Sequence, residues 1–325
     1  MIYSKIIASG SYLPEKILTN DDLSKVVDTS DEWITTRTGI KERHIAANNE
    51  CTSDLATAAG LDALKSTGIS ASEIDLIIVA TTTPDNTFPA TAAKVQANLG
   101  AINAFVFDIQ AVCSGFVFAL KTADAYIKSG HAKTVMVIGA ETLSRIVDWT
   151  DRNTCVLFGD GAGAVILQAN ESSDSNAKNA IGILNVKVKS DGRYYNDLKT
   201  TSGVSSGNEK SFITMNGPEV FKMAIAKMPE ISIETVKEIG LKAEDISWIV
   251  PHQANIRIIE SAAKNLDVAR EKIIVTIDKH ANTSAASIPL AFDNSVKAGK
   301  IKRGDVVVMT SMGGGFTWGC VVVRY

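Results

Sequence analysis

Cys113 has the residue type and the surroundings that acyl transfer requires. It lies in "FDIQAVCSGFVFAL", between a strand-like apolar run and a helix-like one, and two small residues follow it. Backbone N–H groups at a helix start favour a thiolate and can hold an oxyanion. A thiolate attacks a thioester at little cost in free energy, because one thioester replaces another. Most free cysteines are buried core residues, but this position makes Cys113 a candidate nucleophile.

His252 and Asn282 are the candidate partners of this cysteine. His252 ends the strand-like run "WIVPH", and Asn282 stands in "HANTS". An isolated histidine is more often structural than catalytic, and asparagine is a preferred helix N-cap. We expect Asn282 to be both a cap and a site residue that acts with His252 on a second substrate.

Two glycine-rich stretches have different interpretations. In "SMGGGFTWG", residues 311–319, three consecutive glycines follow a strand. They form either a tight turn or a loop whose N–H groups complete an oxyanion hole. "FGDGAGAVIL" leads into an apolar run instead of a helix, so it lacks the dinucleotide-binding pattern and does not predict NAD binding.

The elements that must position these residues alternate between strands and helices. Residues 53–67 and 115–129 have helical patterns, whereas residues 169–180 and 189–211 are polar and typical of loops. This alternation predicts an α/β fold with mostly buried strands. The strand-like runs are "DLIIVATT", "AFVFDI", "TVMVIGA", "GAVILQ", "WIVPH", "KIIVTI", "DVVVMTS" and "GCVVVRY".

An internal repeat organises the chain. "ALKSTGISASEIDLIIVA" aligns with "TVKEIGLKAEDISWIVPH" at an offset of 172, and "KSGHAKTVMVIGA" resembles "KAGKIKRGDVVVMTS" at offsets of 169 to 171. The shared order predicts two copies of one α/β unit, residues 1–170 with the cysteine and residues 171–325 with the histidine and the asparagine. At an offset of 169, "AVCSG" falls on "HANTS". We therefore expect Cys113 and Asn282 to be counterparts that converge on one cleft.

The composition argues against several classes of protein. The 325 residues have a net charge of −3, which gives no basic field for nucleic acid, and 45% of them are hydrophobic. No apolar run is long enough to cross a membrane or to act as a signal peptide. The four cysteines form no C-x-x-C pair, so we expect no metal site and reduced thiols in the cytosol.

Six blocks together resemble the β-ketoacyl-acyl-carrier-protein synthase III family of the thiolase-like superfamily. The resemblance spans nearly the whole chain, and as an ordered set the blocks are highly specific. It implies a five-layered αβαβα fold built from two duplicated, pseudo-symmetric halves. One departure is Ala281, where many members have glycine. The blocks are "DEWITTRTGIKERHIA", "AVCSGF", "DRNTCVLFGDGAGA", "PHQANIRI", "HANTSAASIP" and "GGGFTWG".

The resemblance implies a two-stage acyl transfer without a cofactor, in which a coenzyme A thioester is a substrate. Cys113 would accept an acyl group, with acetyl the expected one, from coenzyme A. Malonyl-acyl carrier protein would then lose carbon dioxide and attack the acyl-enzyme, which starts fatty acid synthesis. His252 and Asn282 would stabilise the enolate, and the backbone N–H groups of Cys113 and Gly314 would hold the other oxyanion.

The resemblance also implies binding residues. It assigns coenzyme A to Trp33, Arg37 and Arg152, and Trp33 and Arg37 share a face if they are helical. It places Phe88 where members of the family reach across a homodimer interface to close the partner's acyl pocket. The implied surface for acyl carrier protein consists of Gln253, Ala254, Asn255, Ile256, Arg257 and Lys264.

Other activities compete with this interpretation. A thiolase would carry a second cysteine just before the glycine run, where this chain has Ser311 and Met312, and a histidine in place of Asn282. A related synthase with another acyl-CoA starter would keep the same motifs. A cysteine hydrolase would use Cys, His and Asn to pass the acyl group to water. A non-catalytic subunit would be expected to lack the nucleophile.

Overall fold

The computed structural model describes residues 1–171, 179–207 and 210–325. Among these residues, no helix combines the length and the apolar character needed to cross a bilayer. The strands are β1 (Ile2–Tyr12), β2 (Lys16–Thr19), β3 (Glu42–Ile45), β4 (Leu76–Ala80), β5 (Phe105–Ile109), β6 (Thr134–Thr142), β7 (Asp160–Glu171), β8 (Gly182–Ser190), β9 (Leu198–Thr200), β10 (Ile213–Met215), β11 (Trp248–Pro251), β12 (Val306–Gly313) and β13 (Thr317–Arg324). The α-helices are α1 (Asn20–Leu23), α2 (Asp31–Thr38), α3 (Thr52–Thr67), α4 (Thr91–Leu99), α5 (Gly115–Lys128), α6 (Arg152–Cys155), α7 (Gly217–Glu238), α8 (Ile256–Asn265), α9 (Ile277–His280) and α10 (Ser287–Lys297).

Two sheets form the centre of the fold. Within the described residues, the first has the order β1-β7-β6-β4-β5, with β4 parallel to both β5 and β6. The second has the order β11-β12-β13-β8, with β11 parallel to β12 and the other pairs antiparallel. β4, β6 and β12 are rich in Val, Ile and Met and are buried along their whole length. Such runs are expected of strands that are covered on both faces.

The sheets and helices stack in five layers. α3 and α4 cover the outer face of the first sheet, and α7 and α8 cover the outer face of the second. α5 and α10 lie between the sheets, where one buried hydrophobic cluster contains side chains from both helices and both sheets. The predicted fold class, α/β with a thiolase-like αβαβα arrangement, is therefore confirmed.

The two halves repeat one order of elements. Three pairs of equivalent elements begin 172 residues apart. These pairs are β4 and β11 (residues 76 and 248), α5 and α10 (115 and 287), and β6 and β12 (134 and 306). The 3₁₀ turns Val112–Ser114 and Ser284–Ala286 have the same offset. At this offset the counterpart of Cys113 is Ala285, so the predicted pairing of Cys113 with Asn282 is wrong by three residues. The boundary between the halves, placed after residue 170, stays a prediction.

Some predicted elements differ from the structure. "KIIVTI" forms no strand, because it makes only a single parallel bridge, from Ile273 to Ile249 of β11. It lies at the β11 edge of the second sheet, the position that corresponds to β5 in the first sheet. The chain then enters the short helix α9, which leaves no length for a ladder. The predicted loop 189–211 contains β9, which pairs with β10. Of the two predicted loops, residues 172–178 and 208–209 lie outside the described residues.

Candidate active site

Cys113 lies in a tight turn between β5 and α5. Within the turn, Val112 has a left-handed φ of 49°, which a β-branched residue rarely adopts. The Ser311 hydroxyl of β12 donates a hydrogen bond to the Cys113 carbonyl at 2.7 Å. A Cβ on Gly313 would stand 2.6 Å from the Cys113 nitrogen, so only glycine lets the end of β12 pack on this backbone.

The environment of Cys113 favours the protonated thiol. The residue is 6% exposed, and burial raises the pKa of its thiol to about 12. The Ser284 hydroxyl and the residue's own N–H act in the opposite direction, and the nearby Glu141 carboxylate adds to the increase. Burial therefore outweighs the thiolate-stabilising effect expected of a helix start. Acyl transfer at this site requires a group that accepts the thiol proton.

A cavity of about 400 Å³ borders Cys113. Gly314 and Gly315 of the glycine loop form part of its wall, so the loop backbone faces the cavity. β9 and the residues before it form another part of the cavity wall. The sequence did not predict this contribution, because "YYNDLKTT" has no feature beyond those of a polar loop. The lining residues are Thr82, Gln110, Ala111, Val112, Cys113, Leu143, Ile146, Phe158, Tyr195, Leu198, Lys199, Thr200, Ile213, Ser284, Gly314, Gly315 and Thr317.

His252 is buried at the end of β11 in a fixed orientation. Its backbone N–H donates to the Thr310 carbonyl at 2.8 Å, and the next residue, Ser311, is the one that bonds Cys113. Its Nδ1 lies 2.6 Å from Oγ of Ser287, the first residue of α10. Burial lowers the pKa of His252 to about 3, so the imidazole is neutral at physiological pH.

Asn282 lies two residues before the 3₁₀ turn that precedes α10. Its Oδ1 accepts a hydrogen bond from the Ser284 N–H at 2.9 Å. The N-cap position itself is Thr283, so the expected cap is wrong by one residue. The hydrogen bond to Ser284 leaves the Nδ2 group as a donor. Phe158 pairs with Asn282 through the backbone. Phe158 and Ser284 both line the cavity at Cys113, whereas Asn282 and His252 are not among its lining residues.

Trp33, Arg37 and Arg152 come together in one cluster. The Arg37 and Arg152 guanidinium carbons lie 4.7 Å and 5.0 Å from the centroid of the Trp33 ring. Trp33 and Arg37 both belong to α2, as their spacing predicts. Arg152 also donates to the Asp28 carbonyl at 2.8 Å. An aromatic face with two permanent cations suits a ligand that combines a planar base with phosphate groups.

Gln253 does not belong to the surface predicted for a carrier protein. Its side chain is buried, with Nε2 donating to the Pro251 carbonyl at 2.8 Å and Oε1 accepting from the Thr276 N–H at 2.9 Å. The amide thus joins two segments of the interior. The assignment of this side chain to a docking surface is corrected.

The remaining residues of that predicted surface lie on or next to α8. Arg257 and Lys264 are exposed on the helix, whereas Ala254, Asn255 and Ile256 are half-buried. The Asn255 amide donates to a carbonyl in the last turn of α2 at 3.0 Å, and its Oδ1 accepts from the Arg257 N–H at 2.9 Å. The half-buried residues therefore anchor α8, and the two cations face solvent.

Phe88 stands apart from the Cys113 cavity of its own chain. Its side chain is 84% exposed and is absent from the lining of that cavity. Single exposed apolar side chains are common on protein surfaces, so the dimer contact expected of Phe88 stays a prediction.

Two parts of the sequence match one family. Residues 107–192 match 3-Oxoacyl-[acyl-carrier-protein (ACP)] synthase III, and residues 236–325 match 3-Oxoacyl-[acyl-carrier-protein (ACP)] synthase III C terminal. The first match contains Cys113, and the second contains His252 and Asn282.

Relatives extend this match to the full length of the chain. The chain is 53% identical over 329 residues to the Beta-ketoacyl-[acyl-carrier-protein] synthase III of Xanthomonas campestris pv. campestris, covering 100% of this chain and 99% of the relative. It is 55% identical over 324 residues to that of Paramagnetospirillum magneticum, with coverage of 100% and 99%. The crystal structure of 3-oxoacyl-[acyl-carrier-protein] synthase III from Aquifex aeolicus VF5 matches with a TM-score of 0.92 and 51% identity, covering 99% of this chain and 100% of that chain. The chain belongs to the 3-oxoacyl-[acyl-carrier-protein] synthase III family of condensing acyltransferases.

Proposed function

We propose that this chain transfers an acyl group from an acyl-CoA to Cys113 and condenses it with malonyl-acyl carrier protein, the step that starts fatty acid synthesis. The observation that carries the proposal is the position of Cys113, which borders a cavity of about 400 Å³ walled by the glycine loop. Relatives that are more than half identical along the whole chain bear the name of this activity. Acetyl is the expected primer, and the proposed reaction uses no cofactor.

His252 and Asn282 are proposed to act on the malonyl group. Loss of carbon dioxide builds negative charge on the thioester oxygen, which two N–H donors in a dry site stabilise. The Gln253 N–H lies 3.4 Å from the Ser287 Oγ and donates to it, so the Ser287 proton is free to point at the His252 Nδ1. With Nδ1 accepting, Nε2 carries the proton and is available as a donor, as is the Asn282 amide. Since burial lowers the pKa of His252 to about 3, this role involves no histidine titration at physiological pH.

The backbone N–H groups of Cys113 and Gly314 are proposed to hold the oxyanion formed when the thioester is attacked. The Cys113 N–H faces its own thiol, and the residue before Gly314 packs directly on the Cys113 backbone. Two hydroxyls fix the loop. The Ser114 hydroxyl donates to the Thr317 carbonyl at 2.8 Å, and the Thr317 hydroxyl lies 3.0 Å from the Ala111 carbonyl and 3.2 Å from the Gly314 carbonyl. Fixed donors of this kind need no reorganisation during the reaction.

The cluster of Trp33, Arg37 and Arg152 is proposed to bind the nucleotide end of coenzyme A. A base stacked between the Trp33 ring and a guanidinium needs a gap of roughly 7 Å, which is two van der Waals contacts. Both guanidinium groups now lie closer than that, at 4.7 Å and 5.0 Å from the ring. Binding therefore requires one arginine to move away from the ring, toward the phosphates that it can pair with.

The exposed cations on α8 and the edge of the first sheet are proposed as protein interfaces. Arg257 and Lys264 would attract an acidic carrier protein by electrostatic steering. β5 is the edge strand of its sheet, and Phe105 on it is 43% exposed. A second copy of the chain docked at this edge would cover Phe105, and Phe88 would close the acyl pocket of that copy. The cytosolic location expected from reduced thiols is part of this proposal.

The proposal is tested by incubating the protein with acetyl-CoA alone and measuring its intact mass. One acetyl adduct is expected in the wild type and none in Cys113→Ala. An adduct that persists in the variant contradicts the assignment of the nucleophile. Free acetate released as fast as the thioester is consumed would instead support a cysteine hydrolase. A panel of acyl-CoA thioesters, scored by the mass of the adduct, identifies the primer.

The division of roles between the two halves is tested with His252→Ala. This variant is expected to keep the acetyl adduct and to lose condensation, because His252 acts on the malonyl group. Loss of acylation with surviving malonyl decarboxylation would show that the roles are assigned wrongly.

A further inference from the structure

A carboxylate that the proposed reaction does not use lies buried near Cys113. Glu141, near the end of β6, is fully buried and accepts hydrogen bonds from the Thr82 N–H at 3.0 Å and the Thr83 hydroxyl at 2.7 Å. In the described part of the chain, hydroxyl and amide groups surround it and no cation pairs with it. Burial raises the pKa of the Glu141 carboxyl, and its charge contributes to the raised pKa of the Cys113 thiol. Cys113 is the titratable group that faces it.

Ser284 is a neighbour of both this carboxylate and the nucleophile. Its hydroxyl is close enough to act on both the Cys113 thiol and the Glu141 carboxylate. Its Oγ is nevertheless buried without a hydrogen bond of regular geometry to any described residue. A Cβ on Gly139 of β6 would stand 2.3 Å from the Ala285 carbonyl oxygen, so the strand of Glu141 and the turn of Ser284 are in direct contact. Cys113, Ser284 and Thr82 also line one cavity, and the Thr82 N–H bonds Glu141, so the thiol, the hydroxyl and the carboxylate are close neighbours.

The backbone of Ser284 supports a functional role for this hydroxyl. The residue has a φ of 49° and is 2% exposed. A residue other than glycine enters this region at a cost in free energy, and such strain is concentrated at functional sites. Two contacts stabilise this strained backbone. The Asn282 side chain accepts a hydrogen bond from the Ser284 N–H, and the turn packs on β6.

We propose that Ser284 and Glu141 form a relay that accepts the Cys113 proton during acyl transfer. The proposal rests on the proposed function and adds two residues to it. As the Cys113 Sγ bonds to the thioester carbonyl carbon, its proton moves to the Ser284 Oγ and the Ser284 proton moves to Glu141. The bond from that carbon to the coenzyme A sulfur then breaks, and the departing thiolate takes the proton from Glu141 through Ser284. The products are acyl-Cys113 and the free thiol, with the relay restored. Ser284 touches the reacting thiol, and Glu141 is a positioning residue that acts through it.

The test is the pH dependence of Cys113 acylation by acetyl-CoA in a single turnover. In the wild type, the rate is expected to rise as pH increases through the raised pKa of Glu141, because only the carboxylate accepts a proton, and then to level off. Ser284→Ala and Glu141→Gln are each expected to acylate about 100-fold more slowly at neutral pH. Their rates should keep rising with pH, because the thiolate then forms only by ionisation to solvent. The double variant should be no slower than the slower single variant, since the pair acts as a unit.

A structural role of the pair predicts different results. A rate that falls by the same factor at every pH in Glu141→Gln, or a wild-type rate in Ser284→Ala, overturns the proposal. Thr283→Val is the matched control, because the Thr283 Oγ1 is also buried without a hydrogen-bond partner among the described residues, and it should acylate like the wild type. If Glu141→Gln does not fold, as judged by circular dichroism, Ser284→Ala decides alone.

A second electrophile separates this proposal from the proposed function. Alkylation of Cys113 by a neutral haloacetamide needs the same proton transfer and no acyl-CoA, so it should show the same pH profiles. A wild-type protein that reacts with the haloacetamide but with no acyl-CoA would contradict the proposed function alone. Equal alkylation profiles in the wild type and both variants would contradict the relay alone.

Discussion

The turn that holds Cys113 and the turn that precedes α10 have a similar backbone and different chemistry. Val112 and Ser284 begin the two turns, and both have a φ of 49°. Both turns lead into a helix that lies between the sheets. The first turn presents a thiol at Cys113 where the second has Ala285. The comparison indicates that duplication kept the geometry of the turn and that substitution divided the roles.

In the proposed function, this difference would give one site both a nucleophile and hydrogen-bond donors. The first turn keeps small side chains around the thiol, since a Cβ on Gly115 would stand 3.2 Å from the Ala80 Cβ and 3.4 Å from the Ala285 Cβ. The second turn instead supplies polar groups. In the proposed function, each turn would therefore supply half of the site. The polar groups of the second turn are Asn282, Ser284 and Ser287.

The largest expected effect comes from the reciprocal contact of each turn with a strand of the other half. Gly139 of β6 packs on the second turn and Gly313 of β12 packs on the first, where an added Cβ would lie 2.3 Å from the Ala285 oxygen and 2.6 Å from the Cys113 nitrogen. Backbone atoms cannot move away cheaply, so each change to alanine should lower the free energy of unfolding by about 3 kcal/mol, the upper end for overpacking. Urea denaturation measures this loss.

Gly192→Ala is the control for these two variants, because a Cβ there meets nothing within 4 Å. It should change the free energy of unfolding by less than about 0.5 kcal/mol. If only one of the two substitutions, Gly139→Ala or Gly313→Ala, lowers the free energy of unfolding, the contacts of the two turns are not reciprocal. The comparison between the turns then fails at that point.

A smaller effect is expected from Ser287→Ala, which removes the hydroxyl that bonds the His252 Nδ1 at 2.6 Å. A buried polar group left without its partner costs about 1–3 kcal/mol. Malonyl decarboxylation should therefore fall about 10- to 100-fold, whereas acylation of Cys113 should be unchanged, because the first turn does not use this bond. Ser295→Ala, also buried in α10, is the control. An equal loss of acylation would show that the two turns do not act separately.

The strands that lead to the chemistry could be predicted from the sequence, whereas two strands that support them could not. β4, β6, β11 and β12 correspond to apolar runs that were predicted. β1 was missed because Ser4 and Ser9 interrupt its apolar pattern. Both serines are buried and donate to carboxylates, Ser4 to Asp124 at 2.7 Å and Ser9 to Asp293 at 2.8 Å. β8 was missed for a related reason, since its polar positions pair with α7.

The candidate site shows the same limit. Residue type and position predicted Cys113, and the structure places it beside a cavity. The site roles of His252 and Asn282 stay predictions. Gln253 was misplaced, since a polar residue in a turn is usually exposed and its backbone partners are visible only in the folded chain. Glu141 left a signal, a carboxylate at the end of the apolar run "TVMVIGAET", but its hydroxyl partner Thr83 is 58 residues away.

The smallest expected effect has the opposite sign and concerns the residue before Asn282. Ala281 has a φ of 56° and a ψ of −158°, a region that residues other than glycine enter at a cost of about 1–3 kcal/mol. Its counterpart in the first half, Ile109, ends the regular strand β5, so this strain belongs to the second turn. Ala281→Gly should raise the free energy of unfolding by up to about 1 kcal/mol, after the lost methyl burial and the greater freedom of glycine in the unfolded chain are subtracted.

Ala286→Gly is the matched control, because Ala286 is equally buried and has an ordinary φ of −76°. It should lose about 1 kcal/mol of stability. Urea denaturation compares the two variants. A shift of the midpoint with an unchanged dependence of the free energy on urea concentration reports a change in stability. If Ala281→Gly raises the free energy of unfolding and Ala286→Gly lowers it, the backbone before Asn282 is strained in the native fold. If both variants lose stability equally, the packing of the Ala281 methyl outweighs the strain, and the two turns differ only in their side chains.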